Sequence, residues 1–509
     1  MSRTKYAAKN VFFAMSSKII TLLITFVSRT IFIYWLGNEC LGINGLYSEI
    51  LNVLSFAELG FGVALNFSLY KPVAEEDEEK VIKLLDYYRK IYSRIAFVVL
   101  GVGLLLLPFL PYLVRDAQNI SVGELRLFYV FFLLNTVVEY FVSYKYSLAN
   151  AKQMNYINTN YEFVSNLIIV VVQTVVIVVT KNYLWYLAIR TGALITSRVV
   201  LNWYLNRKFP ILKERPVKPL SPEEKKPIHS EVKGLAFHQF SSVAVYQTDN
   251  IIISSLTEQG IMAVGYISNY SMLLVGVTAM VKLIFSNLVS GFGNLIATST
   301  KQKLGEVFGE VNFINFWLYG FCAIGFYYLI PPFIRLWLGE EYIIDEFVFF
   351  LIVLNCYLMG QSSVYNDVRL AFGSFQKDKW ISFTQAIINL VVSVIGAKLW
   401  GLTGVYVGTI VSRIFFVLAR PAMSYRMMFE KSVGDYYKQL FLYLLIVLVT
   451  GFGCGRLLDV LVQGDGLLDL VYRFLIVSVS VNLVFALLFF PTKRFAKVAE
   501  RIKRVLRRE

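Results

Sequence analysis

The sequence predicts an all-α polytopic membrane protein of about 14 transmembrane helices. Two six-helix lobes form a parallel repeat, and two further helices follow. Three observations carry this reading. The 509 residues are 57% hydrophobic and only 16% charged, with a mean hydropathy of +0.60; an average soluble protein has about 25% charged residues. Apolar stretches of roughly 20 residues, long enough to cross a bilayer, recur along the whole chain. The basic residues between them fall on alternate sides. This composition excludes a water-soluble enzyme, a secreted disulfide scaffold and a disordered regulator.

The candidate spans are 11–36, 44–70, 93–114, 124–147, 156–180, 184–206, 234–256, 263–297, 312–334, 346–370, 381–400, 401–423, 437–461 and 469–491. The apolar run 381–423 divides at Lys398-Leu399-Trp400-Gly401. Val11 to Leu36 is too long for the apolar core of a cleavable signal, so the N-terminus is expected to stay as a span. With that terminus inside, the inside segments carry 34 basic residues and the outside segments five: Arg115, Lys181, Arg335, Lys398 and Arg456. One missed span would scramble this asymmetry. Both termini are therefore expected to be cytoplasmic, with the chain in a plasma membrane. The outside loops are too short for a catalytic domain, so no enzyme is expected.

The formal net charge of +15 is thus topology rather than a sign of nucleic acid. Cys40, Cys322, Cys356 and Cys454 show no paired or metal-ligand spacing, and two histidines exclude a His-rich metal site. No cofactor is expected beyond possible Na⁺ or H⁺ coupling. The chain lacks G-x-x-x-x-G-K-S/T, H-E-x-x-H and G-x-S-x-G, so it carries no phosphate loop of its own.

Two inside segments have helical periodicity. Val81, Leu84, Leu85, Tyr88 and Ile91 make one face over 80–92, preceded by the acidic run Glu75 to Glu79, which suits a helix N-terminus. In the tail 492–509, Phe495, Val498, Ile502 and Val505 form a face surrounded by Lys497, Arg501, Lys503 and Arg504. That tail is expected to lie on anionic membrane lipids.

The halves resemble each other. A shift of 220 carries Leu36, Gly45 and Ser48 to Leu256, Gly265 and Ser268; 223 carries Gln153 and Asn166 to Gln376 and Asn389; 215 carries Ser197-Arg198 to Ser412-Arg413. The expected division is 1–206, a proline-rich basic linker 207–233, 234–423, spans 13 and 14 in 424–491, and the tail 492–509. A parallel repeat of this kind suits alternating access about a central cavity.

Ten basic residues remain inside spans, against six deep acids, Glu49, Glu58, Glu139, Glu162, Asp249 and Asp367. A charge at the bilayer centre costs at least ~2.5 kcal/mol, so each needs a wet cavity or a partner. Lys18 and Arg29 share one face of span 1, and His238 and Asp249 share the equivalent face of span 7. Lys18, Arg29, Arg198, Lys282 and Arg413 are the expected cavity cations, suited to an anionic head group. Glu49, Glu139, Glu162, Asp249 and His238 are candidates for ion coupling. Arg126, Lys145, Arg369 and Arg473 stand near span ends and are expected to snorkel.

The run Leu36-Gly37-Asn38-Glu39-Cys40-Leu41-Gly42-Ile43-Asn44-Gly45, then Ala57-Glu58-Leu59-Gly60-Phe61-Gly62 and Leu69-Tyr70-Lys71-Pro72, resembles the first two spans of bacterial polysaccharide flippases. These belong to the multidrug/oligosaccharidyl-lipid/polysaccharide (MOP) exporter superfamily. Gly37, Gly42, Gly45, Glu58, Gly60 and Gly62 carry the motif, with Glu58 where many members have Asp. The resemblance implies a V-shaped, monomeric transporter. It would move an undecaprenyl-pyrophosphate-linked oligosaccharide to the outer leaflet for capsule, exopolysaccharide or wall polymer assembly, beside a polysaccharide polymerase and its assembly machinery. Spans 13 and 14 resemble the extra pair of lipid II flippases, which stay an alternative. An ion-coupled multidrug exporter of the same fold is a second alternative, disfavoured by the excess of bases over acids.

Overall fold

The computed structural model describes residues 3–58, 60–285, 288–372 and 379–506, without the side chains of 3–18, 57, 231, 233–235, 237, 238, 290 and 501–506. The first half holds α1 (Arg3–Leu54), α2 (Phe61–Ala74), α3 (Glu78–Leu106), α4 (Leu110–Leu113), α5 (Val122–Ala151), α6 (Asn155–Thr180) and α7 (Tyr183–Lys208). The second holds α8 (Pro222–Tyr246), α9 (Asp249–Leu256), α10 (Gly260–Ile284), α11 (Leu288–Thr298), α12 (Lys301–Leu338), α13 (Glu346–Gln361), α14 (Ser363–Ala371) and α15 (Lys379–Phe429). α16 (Val433–Leu461), α17 (Leu467–Phe489) and α18 (Lys493–Leu506) follow, and there is no strand among the described residues.

Among the described residues, eleven segments are long and apolar enough to cross a membrane. Two of them, Ile19–Leu54 and Lys379–Phe429, contain a non-helical glycine, Gly37 (φ 77°, ψ 176°) and Gly401 (φ 57°, ψ −133°). Lys379–Phe429 therefore holds two of the expected spans, and Ile19–Leu54 holds the first and the start of the second, which continues as α2. The seventh span is α8 and α9, interrupted at Gln247 and Thr248. All fourteen expected passes thus have a helical counterpart.

The left-handed backbone positions repeat as well. Gly37 and Gly260 (φ 77° and 46°) stand 223 residues apart, Asp116 and Gly339 (60° and 111°) also 223, and Lys181 and Gly401 (51° and 57°) 220. All six lie in turns between spans, where a positive φ lets the chain leave one helix and enter the next. These are the offsets of the sequence repeat, so the duplication extends to the backbone.

Packing divides the chain into two compact units, residues 23–268 with 397–401, and residues 1–22, 269–396 and 402–509. Residues 207–268 thus pack with the first unit although the repeat places 234–268 in the second half. In the first unit α5 packs on α3 and α7, α6 on α7, and α2 on α3 and α5. In the second α12 packs on α13 and α17, α11 on α14, and α16 on α17. Phe308, Tyr365, Tyr425, Phe429 and Tyr436 form an aromatic core in that unit.

Three segments expected on the inside gain definition. The periodic segment 80–92 is helical, with Val81, Leu84, Leu85 and Tyr88 of its apolar face buried. It is the start of α3, capped by Asp77, which accepts from the Lys80 amide at 2.9 Å, and the helix runs on to Leu106. The linker 207–233 is ordered. Ser221 and Glu224 form a capping box with Pro222 at the first helical position, so α8 begins well before the span. Buried Asp86 of α3 meets Arg89, Lys90 and, at 3.5 Å, Arg215 of the linker. The tail helix α18 uses part of its apolar face within the protein: Phe495 stacks on Trp317 of α12, and Lys497 lies 3.7 Å from Glu306. Its remaining face beyond residue 500 lies outside the described side chains.

Candidate functional site

The glycine motif is a helix-packing device in the first unit. A Cβ on Gly42 would strike the Ile261 carbonyl, and one on Gly45 would press on Val264. Asn38 Nδ2 donates to the Met262 carbonyl at 2.8 Å. Small residues let the second half of α1 and the start of α10 touch through their backbones. Gly60 (φ 97°) precedes α2 at a break in span 2, and Glu58 in that break accepts from the Tyr92 hydroxyl at 3.2 Å. Gly62 lies against the same hydroxyl.

Span 7 is also broken, and polar groups of α1 meet the break. Glu49 accepts from the Asn250 backbone amide at 2.9 Å and from its side chain at 2.6 Å. Asn52 donates to Gln247 at 2.9 Å, and Asp249 opens α9. Glu49 thus sits against the start of a helix, where amides lack intrahelical partners.

The expected cavity cations have different surroundings. Arg198 is 7% exposed and lies between two carboxylates. Its guanidinium is 2.9 Å from Glu139 and 2.5 Å from Glu162, and Tyr146 donates to Glu162 at 3.0 Å. Two acids against one base give this cluster a net negative charge. Arg413 is 1% exposed and donates from Nε to Asn355 Oδ1 at 3.0 Å. Lys282 is exposed near the end of α10. Arg29 donates to the Ser268 hydroxyl at 2.8 Å, and no carboxylate lies within ion-pair distance of it among the described residues. Lys18 and His238 lie on α1 and α8, and their side chains fall outside the described residues.

The repeat relates the two buried arginines. The offset of 215 carries Arg198 to Arg413. The first half holds its arginine between two acids, and the second bonds its arginine to the amide of Asn355. Arg420 is a residue the sequence reading missed, having been assigned to an inside loop. It is buried two turns after Arg413, donates to Asn366 at 2.7 Å and Ser382 at 3.2 Å, and lies over the Phe416 ring at 4.0 Å. The seven-residue spacing of the arginines was the available signal.

Lys145 and Arg369 do not snorkel. They are 4% and 5% exposed, and Lys145 Nζ donates to Asn202 and Asn206 at 2.5 and 2.6 Å. Asn202 and Asn206 are one turn apart on α7, so they clamp one ammonium together.

A family model described as polysaccharide biosynthesis protein matches residues 7–289. The chain belongs to the polysaccharide biosynthesis protein family. No curated protein sequence matches the chain. Among solved structures, it is similar to the lipid II flippase MurJ in its inward closed conformation, at 13% identity and a TM-score of 0.65, over 94% of this chain and 99% of that one. It is similar to an inward-facing MATE multidrug transporter of the MOP superfamily, at 15% identity and a TM-score of 0.59, over 79% and 94% of the two chains. A Vibrio cholerae MATE transporter matches at 15% identity and 0.58, over 84% and 98%. This member of the family is a multi-pass membrane protein with the fold of those MurJ and MATE structures.

Proposed function

We propose that the protein is a flippase. It moves an undecaprenyl-pyrophosphate-linked oligosaccharide unit from the inner to the outer leaflet by alternating access between two six-span lobes, 1–206 and 234–423. The product feeds capsule, exopolysaccharide or a related wall polymer, and both termini face the cytoplasm. The observation that carries the reading is Arg29. Its guanidinium is held by one neutral hydroxyl and no described carboxylate, in a chain of the polysaccharide biosynthesis family. Such a cation keeps its charge for an anionic head group, and a planar guanidinium matches a phosphate bidentately. Arg198 is held by two carboxylates, and Arg413 is 1% exposed beside Asn355, so both serve instead to fix helices. Coupling to Na⁺ or H⁺ is assigned to the acids Glu139 and Glu162, which outnumber their base.

Mass spectrometry of polyprenyl-linked intermediates after deletion of the gene tests this. The expected result is accumulation of one complete lipid-linked repeat unit. An unchanged lipid pool with altered drug sensitivity would overturn it in favour of multidrug export.

A further inference from the structure

A cavity of about 1090 Å³ opens at one end of the first unit, lined by Tyr70 and the turn after α2, the start of α3, the turn between α5 and α6, and Ile211. Its polar lining is Tyr70, Glu76, Glu78, Lys152 and Gln153, and its remaining lining is apolar. Tyr70 is about half exposed, so part of its ring is open to the cavity. Two carboxylates against one ammonium make this lining net acidic, which disfavours phosphate.

The two turns share a construction. After α2, the Asp77 amide bonds back to the Pro72 carbonyl at 2.9 Å, and Glu76 has φ 56°. After α5, the Met154 amide bonds back to the Ala149 carbonyl at 2.8 Å, and Gln153 has φ 59°. Both are helix C-terminal turns whose left-handed position is usually glycine. A side chain there strains the backbone. Here two such positions keep long hydrogen-bonding side chains, and both line the same cavity. Asp116, Lys181 and Glu430 take the same conformation at other turns, so what sets this pair apart is the cavity they line together.

We propose that this cavity binds the glycan part of the lipid-linked substrate on the cytoplasmic side. Glu76, Glu78 and Gln153 accept from sugar hydroxyls, and Tyr70 with the apolar lining packs against the ring faces. Carboxylates and an amide together with an apolar lining match a sugar ring, which is apolar on its face and hydroxylated around its edge. The volume takes several rings, so the cavity reads the oligosaccharide rather than the pyrophosphate. The inference rests on the flippase reading.

The test uses full-length protein in nanodiscs and glycans released by mild acid from the producing cell's own polyprenyl-linked pool. Binding is read by saturation-transfer NMR and calorimetry. The variants are Glu76→Gly, Gln153→Gly and both together. Glycine suits the backbone at both positions, so the melting temperature should hold or rise while glycan affinity falls at least tenfold in the double variant. A double variant that binds glycan as tightly as the unaltered protein would overturn the proposal, as would an unaltered protein that binds no glycan. A parallel titration with inorganic pyrophosphate separates the two readings. Pyrophosphate binding that is lost in Arg29→Gln, without glycan binding, overturns only the glycan site. Binding of neither probe overturns both.

Discussion

Arg413 donates to Asn355 in the second unit, and at the equivalent place of the first half Arg198 is held by Glu139. The repeat keeps the arginine, and its partner is an acid in one half and an amide in the other. The Arg413–Asn355 bond links α15 to α13 where Arg413 has almost no contact with solvent. A hydrogen bond to a charged group contributes about 1.5–3 kcal/mol. A double-mutant cycle with Arg413→Met and Asn355→Leu, read by thermal unfolding in detergent, should return a coupling in that range. Additive effects would remove the bond from the account.

The first-half cluster predicts the opposite pattern of rescue. Arg198→Leu leaves two carboxylates without their base; these are 39% and 31% exposed, so the loss should be about 1 kcal/mol, nearer the scale of an exposed pair than of a buried one. Adding Glu139→Asn and Glu162→Gln to that variant should restore much of the loss, because the uncompensated charges are gone. Expression level and melting temperature of the single and triple variants check this. A triple variant less stable than the single one would show that the acids do not depend on Arg198.

The helical hairpin inside α15 depends on its small residues. A Cβ on Gly404 would strike the Gly396 carbonyl, and one on Gly408 would strike Ser393. Gly404→Ala should cost about 1–3 kcal/mol by forcing the two arms apart. Gly401→Ala probes the turn itself, where φ is 57°. It should cost about 1–2 kcal/mol, the scale for a side chain in the left-handed region. Melting temperatures of both variants measure these terms.

Much of the fold was legible in the sequence, because spans are set by apolar length and turns by glycine. The division at Gly401, the turn at Gly37 and the repeat were all readable from residue type and offset. The partners of the charges were not. Lys145 finds Asn202 and Asn206, 57 and 61 residues away, and Arg198 finds Glu139 and Glu162, 59 and 36 away. Which faces meet depends on the rotation of each helix about its axis, and an apolar span fixes that only weakly. For the same reason Arg420, counted as a loop cation, lies buried beside Asn366. Proline and charge marked 207–233 as a linker without showing its contacts, which Asp86 and the Ser221 capping box supply.

That order predicts a protease phenotype. Asp86 is 6% exposed and holds Arg215 of the linker together with Arg89 and Lys90 on its own helix. Asp86→Asn should weaken all three contacts and raise the rate of trypsin cleavage at Lys208 and Lys213, whose following residues are not proline, several-fold, with the remaining fragments intact. Cleavage at an unchanged rate would show that the capping box alone orders the segment.

The central claim is that Arg29 meets an anionic, lipid-linked substrate. Its most direct test is the leaflet position of the lipid-linked oligosaccharide in cells whose only copy carries Arg29→Gln at normal protein level. The account predicts that the intermediate accumulates on the cytoplasmic leaflet and that polymer export stops, with Arg29→Lys restoring part of the export. Normal export from Arg29→Gln cells, with no accumulated intermediate, would contradict it.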